Sequence, residues 1–366
     1  IMQCVSGIHY NFSIDAACYK NLLGNAYTQN MVDDLYLGLI RNFKRNFWFI
    51  LAQLAASPVA DKSYVSGRSH DLDELNADDV FLPNATSLRM CNFGYQSPIQ
   101  TSLGIRYNSL GGFIESVNKG IKMPHPDFKD LGLYDDNEDR HQISDGIIQI
   151  ENELYDTIRP KRTSSDGLRP SNALKEYGIE YVEVRGVDIS PDALGGISKD
   201  QMRLIDLFLI HCFVSESKEL TDKENIQLQK NHTDMVASGR NNSTMIFFKG
   251  NMVSSGSAMV DLVNELELLA KNLDGDNDDY SKALRAITTM ENQSAAILRS
   301  VKDNKSFHDA AFEKSMQNTN ELRQNKSLDL SYLEIEKEES LKRFKDIEDN
   351  PHKDIEAYVQ QYNSQI

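Results

Sequence analysis

Cysteine and tryptophan are scarce: four Cys and one Trp in 366 residues. Cys4, Cys18, Cys91 and Cys212 form no CxxC pair and no ligand-like spacing, so a structural zinc site is not expected. Nor do so few make a disulfide scaffold, and they read as reduced thiols of a cytoplasmic protein. Positive charge is short as well. Lys plus Arg number 39 against 55 Asp plus Glu, a formal net charge of −16. A general nucleic-acid binder needs the opposite balance, so no nucleic-acid partner is expected. Long apolar runs are missing too. In the most hydrophobic helical stretch the run Phe47 to Ala52 stops at Gln53, far below the roughly 20 residues that span a bilayer. No membrane partner is expected, and no basic segment with a small-residue cleavage site opens the chain.

The common phosphate and zinc signatures are absent: no GxxxxGK[ST], no GxGxxG after a strand, no HExxH. The acidic run Asp274, Asp276, Asp278 and Asp279 fails the calcium-loop template. Asp279 stands where the turn glycine belongs and Arg285 where the bidentate Glu belongs. An Asp-rich loop between helices is expected there.

The remainder is ordinary globular material, 40% hydrophobic and 26% charged, enough for a core without staples and for about two domains. The first fifteen residues read as a strand. Gln3, Val5, Gly7, His9 and Asn11 share a polar or small face, and Ile8, Tyr10 and Phe12 share the apolar one. The spacing of Leu35, Leu39, Phe43, Phe47 and Leu51 predicts a helix over about Met31–Ala56, ended by Pro58. Residues 59–85 read as loop and 109–122 as helix. Gly146–Tyr155 and Gly178–Arg185 read as strands with a loop, IRPKRTSSDGLRPS, between them. Ser198 and Gln201 form a capping-box pattern that starts a helix running to about Phe213. Beyond about residue 254 only helical patterns remain, over 257–273, 279–302, 306–324 and 330–347. Strands with helices, then helices alone, predict an α+β fold, divided into 1–254 and a helical C-terminal region, 255–366, packed on it.

Two faces carry candidate chemistry. Period two places Tyr181, Glu183 and Arg185 on one side of their strand, Glu183 and Arg185 about 7 Å apart. A carboxylate suits Mg²⁺, and an arginine fork suits a carboxylate or phosphate; a surface ion pair on an edge strand is the plainer alternative. His9 is either a satisfied structural histidine or a ligand on an unusually polar face. Arg89 and the cluster Arg159, Lys161 and Arg162 are candidate anion receptors, or solvated charge.

The strings SGIHYNFS (Ser6–Ser13), ATSLRMCNFGY (Ala85–Tyr95), QIENELYDTIRPKR (Gln149–Arg162) and GIEYVEVRGVDI (Gly178–Ile189) resemble successive blocks of bacterial glutamate–cysteine ligase. The resemblance runs well to about residue 215 and thins beyond. It implies an antiparallel sheet of the glutamine-synthetase catalytic type with outer helices. It also implies a cytoplasmic ligase that uses ATP with Mg²⁺ (or Mn²⁺) to phosphorylate the γ-carboxylate of L-glutamate and pass it to L-cysteine, the first step of glutathione synthesis. On this resemblance His9 and Glu183 match metal ligands. Arg185 and Arg89 match catalytic positions that handle the glutamyl and phosphoryl groups. Gln3 and Val5 match the floor of the substrate site, Tyr95 and Tyr155 the cysteine pocket, and Arg159, Lys161 and Arg162 the neighbourhood of the ATP phosphates. A monomer is expected.

Departures exist. Ser190-Pro191-Asp192 stands where the family tends to have Asn-Pro-Phe after its Asp-Ile pair. His232 and Ala237-Ser238-Gly239 replace a Trp and a Glu-Gly pairing. The resemblance further implies an N-terminal region ahead of Ile1 with more metal ligands, which leaves two other readings open. One is an incompetent binding fragment; the other is a related ligase with a different acceptor amine.

Overall fold

The helix Gln29–Leu54 is the spine of the fold in the computed structural model, which describes residues 5–101, 103–164, 168–302, 306–324, 330–349 and 354–366. Tyr36, Leu37, Leu39, Ile40, Phe43, Phe49 and Leu51 are almost wholly buried and occupy several sides of it. Such an apolar circumference belongs to a helix enclosed by protein. Ala55 leaves the helix in an extended conformation, three residues ahead of the expected Pro58 stop. On one flank runs the helix Lys199–Val214, which begins with the capping box read from Ser198 and Gln201. Its Phe208 ring packs on Phe43 and Phe49, with centroids 5.7 and 5.5 Å away.

On another flank lies a three-stranded antiparallel sheet in the order Ile8–Phe12, Tyr181–Val187, Ile158–Lys161. Ile158, Val182 and Val184 turn inward and are fully buried. The opposite face carries the polar residues. Gly186 sits where Phe47 presses on the strand; a Cβ there would collide with the phenyl ring, so only glycine lets the helix approach this closely. The expected antiparallel α+β arrangement is therefore present, built from small sheets.

Several local expectations need correction. Among the described residues the opening strand is Ile8–Phe12, and it ends where Asp15 accepts a bond from Ala17 N–H and caps the helix Ala16–Leu23. Gly146–Tyr155 forms no strand but a 3₁₀ turn at Glu151–Glu153, since Glu151 N–H is bonded to a side chain, Tyr362 Oη. The stretch read as loop after Tyr155 contains the strand Ile158–Lys161 and opens the helix Pro170–Tyr177. Pro160 is tolerated because this strand is at the sheet edge. Within 59–85 the strands Val59–Asp61, Asp73–Glu74 and Asp79–Phe81 form a second small sheet, held by a satellite core of Ala60, Val65, Val80, Ala85 and Leu88. The helix Asp222–Ser238 and the hairpin Met245–Phe248 with Asn251–Ser254 complete the middle of the chain.

The later helices follow the sequence pattern. Ser255–Leu273 sends Ala258, Leu262, Leu266 and Ala270, spaced four apart, into the main core. The expected 279–302 helix is two, Asp279–Thr289 and Gln293–Lys302. Asp274 spans the acidic loop by accepting the backbone N–H groups of Tyr280 and Ser281, so the run is an interhelical loop. Phe307–Gln324 and Ser331–Glu348 carry no buried residue. No helix among the described residues is long and apolar enough to cross a membrane.

Candidate active site

The polar face of the three-stranded sheet gathers most of the expected residues. Across the strand pair Arg159 is opposite Glu183, and Asn11 is opposite Glu183 on the other side. Between the pairs Ile8–Val187 and Tyr10–Val184 one strand advances two residues and the other three. His9 therefore faces the two-residue step Arg185–Gly186, a β-bulge that brings the imidazole and the guanidinium together. Arg185 Nε approaches His9 Nε2 at 3.4 Å, and His9 Nδ1 stands 3.6 Å from Glu183 Oε1.

Glu183 is the centre of this cluster. Its Oε2 lies 3.3 Å from Arg159 Nη2, 3.6 Å from Arg185 Nε and 3.7 Å from Lys161 Nζ. Burial alone would push the carboxyl up; Lys161, Arg159 and Arg185 together override it and hold it below the usual carboxylate range. Burial and then the Arg185 guanidinium push the His9 imidazole below its ordinary value against the opposing Glu183 charge, a shift that favours the neutral ring. Three cations around one carboxylate leave this face positive by two charges, which suits a polyanionic ligand.

The other expected residues divide. Tyr95 and Tyr155 meet edge to face with centroids 4.9 Å apart, and the guanidinium carbons of Arg185 and Arg89 lie 5.2 and 5.5 Å from the Tyr95 centroid. Tyr95 thus joins the cationic face to a neighbouring cleft. Its hydroxyl is buried without a hydrogen-bond partner, and burial pushes its pKa up to about 12. Arg89 is turned inward. Nε meets Asp188 Oδ1 at 2.7 Å, and Nη2 donates to the carbonyls of Arg185 and Val187 at 3.1 and 2.9 Å. It positions the backbone of the Arg185 strand. Gly7 makes room for it, since a Cβ there would stand 2.5 Å from Arg89 Cζ. Arg162 does not join Arg159 and Lys161; its guanidinium lies 5.6 Å from the Tyr177 ring centroid. Val5 packs on the main core. Gln3 lies outside the described residues.

The cleft beyond Tyr95 and Tyr155 has a volume of about 640 Å³ and is also lined by Lys44, Gln100, Asp156 and His232. Of these four only His232 stands out in the sequence, as a departure from the family pattern and not as a site residue. Lys44 reaches from the spine helix to Asp156 Oδ1 at 2.7 Å, and Tyr107 Oη donates to Oδ2 at 2.6 Å. Burial pushes the Asp156 carboxyl up, but the Lys44 charge and these hydrogen bonds hold it below the usual range. His232 Nε2 contacts the Met90 carbonyl at 2.9 Å. Asp188, another unforeseen partner, lies in the GIEYVEVRGVDI string but carried no signal of its own. Among the described residues no cluster of three or more His, Cys, Asp or Glu is arranged to hold a metal ion.

Fold and site together define an α+β protein with a cationic sheet face beside a partly aromatic cleft. The family model for glutamate–cysteine ligase matches residues 1–235. The chain is 35% identical to the glutamate–cysteine ligase of Pseudomonas putida over 379 aligned positions, covering 100% of the chain and 72% of that protein. It is 36% identical to the Hahella chejuensis enzyme over 78% of the chain and 56% of that protein. A 2.0 Å crystal structure of glutamate–cysteine ligase from Francisella tularensis in complex with AMP superposes with a TM-score of 0.89 at 28% identity, over 98% of this chain and 72% of that one. This chain belongs to the glutamate–cysteine ligase family.

Proposed function

We propose that the cationic sheet face and the adjoining cleft serve ATP-dependent joining of the γ-carboxylate of L-glutamate to the amine of L-cysteine, the first step of glutathione synthesis. The observation that carries this reading is the concentration of Arg159, Lys161 and Arg185 around Glu183 on a face walled by Tyr95. The free thiols Cys18, Cys91 and Cys212 suit a reducing cytoplasm.

Two chemical steps are needed. The γ-carboxylate attacks the terminal phosphorus of ATP, giving an acyl phosphate and ADP. The cysteine amine then attacks the acyl carbon and expels phosphate. Both steps move negative charge onto phosphoryl oxygens, and fixed cations there stabilise the transition state more than the ground state. Arg159 and Lys161 are the groups for the phosphates. Arg185, held by the bulge and by Arg89 on its carbonyl, is the group for the transferred phosphoryl or the glutamyl carboxylate. Tyr95 and Tyr155 shape the cysteine side, where the unpartnered Tyr95 hydroxyl offers a hydrogen bond to the acceptor.

The donor chemistry fits a hard cation. Mg²⁺ commonly takes one or two carboxylates and fills the rest of its shell with phosphate oxygens and water. Glu183 and His9 would hold it, and the positive surroundings of Glu183 are balanced once phosphates arrive. When bound, such an ion neutralises phosphate charge.

The test is ADP release with all three substrates, then with each omitted. Release that needs both amino acids and yields γ-glutamylcysteine supports the reading. ADP that forms only when another amine replaces cysteine would point to a different acceptor; no ADP under any combination would reduce the site to binding.

A further inference from the structure

The helix Ile355–Asn363 is remote in sequence from the sheet, yet it grips the segment that leads into the arginine strand. Val359 and Tyr362 are its buried residues. Tyr362 Oη accepts the backbone N–H of Glu151 at 2.8 Å. Its ring lies under Arg169, whose guanidinium carbon is 4.9 Å from the centroid. The Arg169 N–H donates to Gln365 Oε1 and Asn172 Nδ2 to the Gln365 carbonyl, both at 2.9 Å. At the other end of the helix Arg140 holds Glu356 with two bonds, at 2.5 and 2.7 Å.

Glu151 is the junction. Its carboxylate is buried, paired with Arg169 and accepting from Ser171 N–H at 2.7 Å and Ser171 Oγ at 2.6 Å. Its N–H belongs to Tyr362, and its carbonyl accepts from Leu154 N–H at 3.1 Å and from Arg159 Nη1 at 3.4 Å. Every polar group of this residue is thereby fixed, and one of them orients a guanidinium of the cationic face. Tyr155, four residues on, has a second anchor beyond this turn: its N–H donates to Gln100 Oε1 at 2.9 Å, and Gln100 Nε2 donates to the Glu153 carbonyl at 2.8 Å.

From this we infer that Tyr362 is a positioning residue for the nucleotide side of the site. Through Glu151 it fixes Arg159 against the phosphates of ATP, while the cysteine side has its own additional anchor in Gln100. The inference rests on the functional reading above, and it deepens that reading by extending the active site to the C-terminal helix. A hydrogen bond of this kind contributes a factor of about three to ten to an equilibrium.

The test compares the protein with Tyr362→Phe, which keeps the ring under Arg169 and removes the acceptor, and with Glu356→Gln, which loosens the same helix away from Glu151. ATP binding is read by titration calorimetry, and KM for ATP and for cysteine by turnover. Tyr362→Phe is expected to weaken ATP binding and raise its KM about three- to tenfold. The KM for cysteine and the ATP affinity of Glu356→Gln should move less than about twofold. Unchanged ATP binding in Tyr362→Phe overturns the inference. So does an equal shift of the ATP and cysteine constants, or an equal effect of Glu356→Gln. A parent protein that binds ATP but forms no product overturns the functional reading instead, and the calorimetric comparison still decides the role of Tyr362.

Discussion

Glu183 and Arg159 face each other across neighbouring strands with Oε2 and Nη2 3.3 Å apart, and Lys161 and Arg185 converge on the same oxygen. The carboxylate is the one negative charge in this group, so its loss leaves three cations unbalanced. Glu183→Gln is expected to lower turnover at least about 100-fold, with the secondary structure retained in circular dichroism. Turnover near that of the parent would contradict the proposed role of Glu183 as a metal ligand.

Arg89 is the buried support of the same strand. Its pair with Asp188 is enclosed on both sides, with side-chain exposures of 7% and 3%. Asp188 also accepts from Ala56 N–H, Ser57 Oγ and Ser87 Oγ. Arg89→Ala leaves a buried carboxylate without its cation, which costs about 3–5 kcal/mol. Gly7→Ala, which pushes a methyl group into the guanidinium, should lower the urea midpoint in the same direction by less. Stability unchanged in both would separate Arg89 from the strand it holds.

Tyr95 gives a contrast between fold and function. Its hydroxyl has no partner in the buried site, so Tyr95→Phe should leave the unfolding midpoint unchanged or slightly higher. If the acceptor substrate supplies the missing bond, the KM for cysteine rises about fivefold while the KM for ATP stays put. An unaltered KM for cysteine would place the acceptor elsewhere.

The pattern of what could be read beforehand has a physical basis. The shared face of Glu183 and Arg185 follows from the two-residue period of a strand, and the start of the Lys199–Val214 helix follows from Ser198 and Gln201 three residues apart. Both are local rules. The bulge opposite His9, the Arg89–Asp188 pair and the Lys44–Asp156–Tyr107 contacts join residues far apart in the chain, and local periodicity holds no record of them. Glu151 shows the converse. Its surroundings look strand-like, but tertiary bonds from Tyr362 and Ser171 override the propensity of GIIQIENELY.

A pH effect on stability follows from His232, buried at the cleft against Met90 and with its ring tilted against Phe47, centroids 5.5 Å apart. Burial holds its imidazole below the ordinary histidine value of about 6.5, with Lys44 adding to the effect and the Met90 carbonyl and Asp156 opposing it. Between that lowered value and 6.5 the unfolded chain binds a proton that the folded chain refuses. This contribution is therefore complete above pH 6.5 and is lost as the pH falls through the interval, with a slope of at most about 1.4 kcal/mol per pH unit. Urea midpoints from pH 7.5 down to pH 5, compared with His232→Gln, should show a shallower fall in the variant. Identical curves would remove His232 as the source.

The central claim is that the cationic face transfers a phosphoryl group to the γ-carboxylate of glutamate before cysteine attacks. Glutamate labelled with ¹⁸O in that carboxylate tests it directly. Mass analysis of the released phosphate should find one labelled oxygen per molecule of γ-glutamylcysteine formed. Dipeptide formed with unlabelled phosphate would contradict the acyl-phosphate route, and so contradict the role assigned to Arg159, Lys161 and Arg185.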